Sequence, residues 1–306
     1  MHPSAFIVDQ TLEFIKKHRS SEGRSDPFFA HCSFVDPHHP FSAPKPFSRM
    51  YPPKEMPVPS APEQADFYGS GLPKALLENI ERMNAYPDEL WQGGLANYYG
   101  MISHIDWCVG RLLGGLEELG VLHSTLIVFT SDHGEYIGDH RLLHKGSLMF
   151  DGEVRVPLIY SWGDGIKGGK RISSLVQEID IYPTLMALLG LESHPGIQGM
   201  DLSGAILETK MQEEEEIGYE QVYCELDQLP AAPVVPAQMI RSREWKLIYF
   251  PLCQEGMLFH LAEDPEEMHN LYYDPAYIAV KQKMLSELLD RLYVAKDPLP
   301  IRLGQA

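Results

Sequence analysis

The sequence predicts an α/β fold in which a mostly parallel sheet is sandwiched by helices, followed by a small α+β subdomain with an antiparallel sheet. Three observations predict it: strong helical periodicity, short apolar runs that follow the helices, and closely spaced strand-like runs near the C-terminal end. Helix followed by buried strand, repeated, is typical of a parallel sheet covered by helices. With 306 residues, 44% of them hydrophobic, the chain can bury a sizeable core.

The core is expected over residues 1–205. Apolar residues recur every three or four positions in three segments, which we predict to be helices: residues 4–19, 94–119 and 179–189. Gly120 and Gly190 follow two of these segments, where a C-terminal cap belongs. Short apolar runs predict three buried strands: residues 28–34, 125–129 and 156–160.

The smaller subdomain is expected over residues 206–306. The acidic stretch at residues 208–216 marks the change in composition. Beyond it, three runs predict antiparallel strands, and apolar residues at helical spacing predict a last helix: residues 238–242, 245–250, 257–261 and 277–292. Between residues 37 and 62 prolines fall every few positions, so this segment is neither a regular helix nor a central strand.

Charge and composition exclude several classes of protein. The formal charge of −18 argues against a nucleic-acid or anionic-membrane surface, although local cations can still bind a small anion. No run reaches the ~20 apolar residues of a membrane span. The four cysteines form no CxxC pair, which favours buried free thiols. No signal peptide is visible, and the compartment and the oligomeric state stay open.

Ligand-type side chains are concentrated in FTSDHGEYIGDHRLLHKG, directly after the strand predicted at residues 125–129. Ligands of open α/β sheets bind at the carboxyl ends of strands. Asp132 is therefore a candidate metal ligand, and His133 is either a second ligand or a hydrogen-bond donor. The alternative is that Asp132 caps a turn and His133 is a surface residue. Lys145 is a candidate anion-binding residue, although a single loop lysine is usually solvated.

A second polar loop, DPHHP, follows the strand predicted at residues 28–34. Prolines on both sides stiffen the backbone that carries His38 and His39. An imidazole titrates near neutral pH, so it can protonate a leaving oxygen or bind an anion. The alternative is a turn with solvated imidazoles.

Five segments occur in a fixed order: PFFAHCSFVDPHHPFSAP, the helix around YYGMISHID, TLIVFTSDHGEYIGDHRLLHKGSLMFDGEVRVPLIY, QEIDIYPTLMALLGL, and IRSREWKLIYF with LFHLAEDPEEMHNL. Together they resemble the sulfatase family of the alkaline-phosphatase superfamily over nearly the whole chain. The resemblance implies that Asp132 and His133 bind a divalent metal, that Lys145 contacts the sulfate, and that His38 lies near the leaving-group oxygen. Arg155 is interpreted as an ion-pairing residue.

The resemblance also implies a cofactor, most simply Ca²⁺, with Mn²⁺ or Mg²⁺ as alternatives. Calcium prefers oxygen ligands, whereas the imidazole of His133 also suits a transition ion. Members with this Asp-His pair include phosphonate and phosphodiester hydrolases as well as sulfatases, so the transferred group stays open. The implied partner is a small-molecule or glycan sulfate ester.

The family's nucleophile is a formylglycine made from Cys or Ser in the motif C/S-x-P/A-x-R, and none of the four cysteines fits it. The aspartate pair that completes the metal site normally lies upstream of that motif. We therefore expect this chain to be the C-terminal two-thirds of such an enzyme and to be inactive by itself, since the covalent route needs the nucleophile. The non-catalytic alternative is a binding or interaction protein.

Overall fold

A computed structural model describes residues 2–20, 26–64, 67–69, 71–207, 217–227 and 235–295. In these ranges the chain forms seven α-helices: α1 Pro3–Ser20, α2 Lys74–Asn84, α3 Asp88–Glu118, α4 Asp151–Val154, α5 Ile181–Leu188, α6 Ser203–Leu207 and α7 Ile278–Val294. Short 3₁₀ turns occur at Phe47–Arg49, Pro53–Glu55, Asp139–Arg141, Glu178–Asp180 and Pro275–Tyr277. None of the helices in the described ranges has the length and apolarity needed to cross a bilayer.

The same residues form six strands in two sheets. They are β1 Ile127–Thr130, β2 Leu158–Ser161, β3 Val222–Leu226, β4 Ala237–Arg241, β5 Trp245–Phe250 and β6 Glu255–His260. β1 pairs with β2, and β3 to β6 form a four-stranded sheet in sequence order. Sequential order with short connections is the pattern of an antiparallel meander.

The four-stranded sheet is buried on both faces. Ile240, Leu247 and Leu258 pack against Met284 and Leu288 of α7 on one face. Alternate residues along β5 and β6 point the other way, into the largest apolar cluster. That cluster combines side chains from before and after residue 206, among them Phe67, Phe150, Ile248 and Phe259. The division into units 1–205 and 206–306 stays a prediction, and the acidic stretch 208–216 lies outside the described residues.

α1 and α3 form a second packed unit. Ile15 of α1 lies in one buried cluster with Leu116 and Val121, at the C-terminal end of α3 and just beyond it. The helices are also joined by an ion pair between Arg111 and Asp9, with 2.6 Å between the guanidinium and carboxylate. This unit positions the loop of residues 36–40, because Asp36 contacts both Ser4 of α1 and His104 of α3.

Most predicted elements are confirmed, with boundaries shifted by a few residues. The helix expected at residues 94–119 begins six residues earlier, at Asp88. The long proline-rich segment contains only two 3₁₀ turns, as its composition predicted. α2 and β3 have no counterpart among the predicted elements, because neither shows a long periodic pattern.

Two features differ from the prediction. Each paired strand in the described ranges is antiparallel to its partner, and β1 faces β2 with Ile127 opposite Ser161. A parallel pair usually needs a helix in its crossover connection, whereas the β1–β2 connection contains a 3₁₀ turn and the single-turn α4 but no longer helix. Residues 28–34 form no strand, and Phe29 is 83% exposed. Their apolar composition predicts a buried strand, but the described residues provide no strand partner for them.

Candidate active site

Asp132 and His133 lie directly beyond the end of β1, as predicted. The Nδ1 of His133 lies 2.7 Å from the carbonyl oxygen of Gly134 and must donate a proton to it, since a carbonyl only accepts. In the neutral imidazole the Nε2 of His133 then carries a lone pair, and it lies 3.7 Å from Oδ2 of Asp132. A carbonyl that accepts from one ring nitrogen and leaves the other free for an ion is the usual arrangement around a metal-binding histidine. The pair thus fits a divalent ion.

The backbone around this pair is held by a close approach to the segment after α4. Gly134 donates a hydrogen bond of 2.6 Å from its N–H to the carbonyl of Glu153. A Cβ on Gly134 would lie 2.0 Å from the carbonyl oxygen of Gly152. Only glycine permits this contact, so the DHG sequence reflects packing as well as chemistry.

A cleft of about 1240 Å³ brings Asp132, His133 and Lys145 onto one wall. Its lining carries five cationic side chains: Lys145, Arg155, Arg171, Arg241 and Arg243. Five carboxylates also line it: Asp132, Asp151, Glu153, Glu178 and Glu225. The cleft is therefore close to neutral in formal charge, although the whole chain carries −18. A locally balanced field admits an anionic substrate that the average surface would repel.

Burial raises the pKa of two carboxyl groups in this cleft. For Glu153, hydrogen bonds from Tyr136 and from the Gly146 N–H oppose the shift. For Glu178, the negative charge of Asp132 adds to the effect of burial. In both cases the loss of solvent disfavours the charged carboxylate.

His38 lies in a neighbouring cluster and is not part of the cleft lining. The rings of His38 and His39 stack at 4.1 Å, and the ring of His39 lies 4.2 Å from that of His144. Burial lowers the pKa of His144, and the nearby His38 and Lys145 lower it further. The structure thus brings the His38 loop next to the segment of His144 and Lys145, and Lys145 lines the same cleft as Asp132 and His133.

The sequence analysis missed part of this neighbourhood. The ligand atoms of His39, Glu135 and His144 lie within 4.8 Å of one another. Glu135 is not one of the candidate residues named from the sequence, yet it accepts hydrogen bonds from the N–H groups of Ile137 and His144. The cationic lining residues Arg171 and Arg241 were not predicted either, and Arg155 lines the cleft rather than the protein interior. None of these residues belongs to a local motif that could have identified it.

Comparison with known proteins identifies the family. The family described as Sulfatase matches residues 2–191, and the one described as N-sulphoglucosamine sulphohydrolase, C-terminal, matches residues 138–293. A multifunctional alkaline phosphatase superfamily protein, PehA, from Trinickia caryophylli is 32% identical over 92% of this chain and 59% of its own length. An arylsulfatase from Clostridium perfringens is 30% identical over 90% of this chain and 55% of its own length.

A solved structure agrees. The phosphonate monoester hydrolase of Agrobacterium radiobacter superposes with a TM-score of 0.76 at 26% identity, over 95% of this chain and 60% of that chain. The α/β class is confirmed by this match, and the chain spans 55–60% of the length of these relatives. The match to the Sulfatase family over residues 2–191 and the 30–32% identity to these relatives lead to one conclusion: the chain belongs to the sulfatase family of the alkaline-phosphatase superfamily.

Proposed function

We propose that this chain provides the metal- and sulfate-binding part of a metal-dependent sulfuric ester hydrolase. One observation carries the proposal: the bare Nε2 of His133 faces the carboxylate of Asp132 at 3.7 Å on a cleft wall that also presents Lys145. A divalent ion bound there would polarise the S–O bonds of a sulfate ester. Calcium is the first candidate, and the imidazole ligand also suits Mn²⁺.

The other residues have distinct roles in this proposal. The ammonium group of Lys145 binds the sulfate oxygens and stabilises the charge that develops on them. The Nδ1–H of His38 donates to the carbonyl of His39 at 2.9 Å, and the side chain is exposed, so its Nε2 is the atom that would give a proton to the leaving oxygen when the ring is in its imidazolium form. The volume of the cleft exceeds that of most drug-sized sites, which supports a glycan sulfate ester or another extended one as substrate.

A phosphonate or phosphate ester is the second candidate. It is favoured by the match to a phosphonate monoester hydrolase over 95% of this chain and by the imidazole at His133. Tetrahedral sulfate and phosphonate groups need the same cationic surroundings, so only a direct comparison separates them.

Metal binding tests the first step of the proposal. The purified chain is titrated with Ca²⁺ and Mn²⁺, and we expect binding that Asp132→Ala abolishes. Glu263→Ala, which removes an exposed carboxylate outside the cleft, is the control and keeps the binding. Equal binding by both variants contradicts the assignment of Asp132.

Ligand preference tests the second step. The metal-loaded chain is titrated with an aryl sulfate and with the matched aryl phosphonate. We expect tighter binding of the sulfate, weakened by Lys145→Met and unchanged by Lys54→Met, which alters an exposed lysine. Tighter binding of the phosphonate than of the sulfate would instead support the phosphonate or phosphate ester as the substrate.

Hydrolysis by this chain that disappears in Asp132→Ala would refute both the expected inactivity and the non-catalytic alternative.

A further inference from the structure

A second cluster of metal-ligand side chains lies away from the cleft, where α1, the loop at residues 36–40 and α3 meet. His2 precedes α1, Asp36 begins the loop and His104 belongs to α3. One carboxylate oxygen, Oδ2 of Asp36, lies 3.4 Å from Nδ1 of His2 and 3.5 Å from Nδ1 of His104. Three segments distant in sequence therefore direct three ligand-type atoms at one point.

The ring nitrogens of this cluster face the carboxylate. Nδ1 of His2 accepts a long hydrogen bond of 3.4 Å from the N–H of Ser4, which requires a lone pair on that atom. His104 is 2% exposed, and its Nδ1 makes no hydrogen bond. Buried polar nitrogens are normally paired, so this one calls for an explanation, which a bound cation would provide.

The second nitrogen of His104 is already engaged. Its Nε2 lies 3.6 Å from Sγ of Cys108, a fully buried thiol one helical turn further along α3. The direction of this contact depends on the tautomer of His104: Nε2–H donates to the sulfur when Nδ1 is bare, which is the form that a bound cation would select. An outer partner that orients a histidine in this way is a regular feature of metal sites.

The distances agree with a single small cation. Ligand atoms that are ~2.0–2.2 Å from a tetrahedral zinc ion lie roughly 3.3–3.6 Å from one another. Both measured separations, 3.4 and 3.5 Å, fall in that range. Oδ2 of Asp36 also accepts a hydrogen bond of 2.5 Å from the hydroxyl of Ser4, and a cation would add a positive charge beside this carboxylate.

We propose that His2, Asp36 and His104 bind a transition-metal ion of the zinc class. Two imidazoles and one carboxylate form a donor set that suits zinc rather than calcium. The ion would join the start of α1 to α3 and fix Asp36, two residues before His38. The site is structural in this proposal, and it does not depend on the proposed hydrolase function.

Zinc titration tests the proposal in a background that lacks the two candidate metal ligands after β1. The full chain carrying Asp132→Ala and His133→Ala is stripped with a chelator and titrated with Zn²⁺ in competition with a chromophoric chelator. We expect one equivalent of zinc to bind. Co²⁺, used as a spectroscopic probe in a second titration, should give the intense visible absorption of a tetrahedral site.

Ligand variants locate the bound ion. His2→Gln changes an imidazole that is 24% exposed at the edge of the fold, so the variant should stay folded. We expect its zinc affinity to fall by more than about tenfold. Even the loss of a residue that only orients a metal-binding histidine usually lowers metal affinity by about that factor. His104→Gln should give the same loss, with folding checked by circular dichroism. His194→Gln, which alters an exposed imidazole, is the matched control and should bind zinc normally.

Two results would overturn the proposal. One is that zinc does not bind, or that its binding is unchanged by both His2→Gln and His104→Gln. Either result would mean that hydrogen bonds, and not a metal ion, join the three side chains. The other is zinc binding that disappears with His144→Gln instead, which would place the ion at the His39–Glu135–His144 cluster. Failure of the proposed hydrolase function is separate, because the tested background lacks Asp132 and His133.

Discussion

His140, in the segment between Asp132 and Lys145, has a packing role rather than a chemical one. Its ring stacks on Phe150 at 3.7 Å, and its Nε2 donates to the carbonyl of Glu267 at 2.9 Å. Only 5% of the residue is exposed. Burial lowers the pKa of His140 below its usual 6.5, while the hydrogen bond to Glu267 opposes that shift. The neutral imidazole is therefore the form that the fold accommodates.

A dependence of stability on pH follows from His140. The unfolded chain binds this proton more tightly than the folded one, so the contribution is fully present above pH 6.5. It is lost as the pH falls from 6.5 through the lower folded-state pKa, by at most about 1.4 kcal/mol per pH unit. His140→Gln, which keeps a donor to Glu267, should unfold with a shallower pH dependence in that range.

Urea unfolding at a series of pH values between 5 and 8, roughly the range in which a histidine titrates, measures this difference. The control is His194→Gln, an exposed imidazole, whose profile should match that of the parent chain. A His140→Gln profile parallel to the parent over the whole range would show that His140 does not contribute.

At the scale of elements, α3 combines two glycines with opposite environments. A Cβ on Gly100 would lie 2.7 Å from the carbonyl oxygen of Phe47 and 2.9 Å from Cβ of Ala43. A Cβ on Gly110 would meet nothing within 4 Å. The first glycine thus allows the proline-rich loop to approach the helix, whereas the second only weakens the helix.

Alanine at these two positions should change stability in opposite directions. Gly100→Ala is expected to lower the free energy of unfolding by about 1–3 kcal/mol, because the loop must move away from α3. Gly110→Ala is expected to raise it by roughly 0.5–1 kcal/mol through higher helix propensity. Thermal unfolding of both variants is the measurement, and changes of the same sign would contradict the close packing at Gly100.

The elements that the sequence predicted well are those with strong local signals. α1, α3 and α7 carry long apolar stripes, and β4 to β6 alternate short runs with tight turns, so each could be assigned without tertiary information. Residues 28–34 were wrongly assigned because an apolar run alone does not reveal whether a neighbouring strand exists. The predicted parallel direction of the strands was wrong for the same reason, because strand pairing depends on two segments that are distant in the sequence.

The candidate site residues divide in the same way, into those with a local sequence signal and those that only packing brings together. Asp132, His133 and Lys145 could be proposed because a short loop contains all three. His104 could not be connected with His2 and Asp36, since only the packing of α1 on α3 brings them together. The arginines of the cleft likewise come from separate segments with no shared pattern.

At the scale of the whole molecule, a buried charge network links the C-terminal sheet to the segment that follows the candidate site. Lys246 of β5 is fully buried, and its Nζ lies 3.0 Å from Oδ1 of Asp151 and 2.6 Å from Oε1 of Glu267. Arg241 adds a contact of 3.2 Å to Asp151. Burial by itself would raise the pKa of Asp151, but Lys246 and Arg241 outweigh it and hold that pKa low.

Removing Lys246 should destabilise the whole chain. Lys246→Met leaves Glu267 buried without its cation, and breaking one partner of a buried pair costs about 3–5 kcal/mol. Burial raises the pKa of Glu267, so the added Glu267→Gln change should restore part of the loss by removing a charge that no longer has a partner.

Lys283→Met, at an exposed helix pair with Glu287, is the control and should change stability by under about 0.5 kcal/mol. Urea unfolding of the four proteins measures these values, and equal losses at positions 246 and 283 would show that the network does not stabilise the fold.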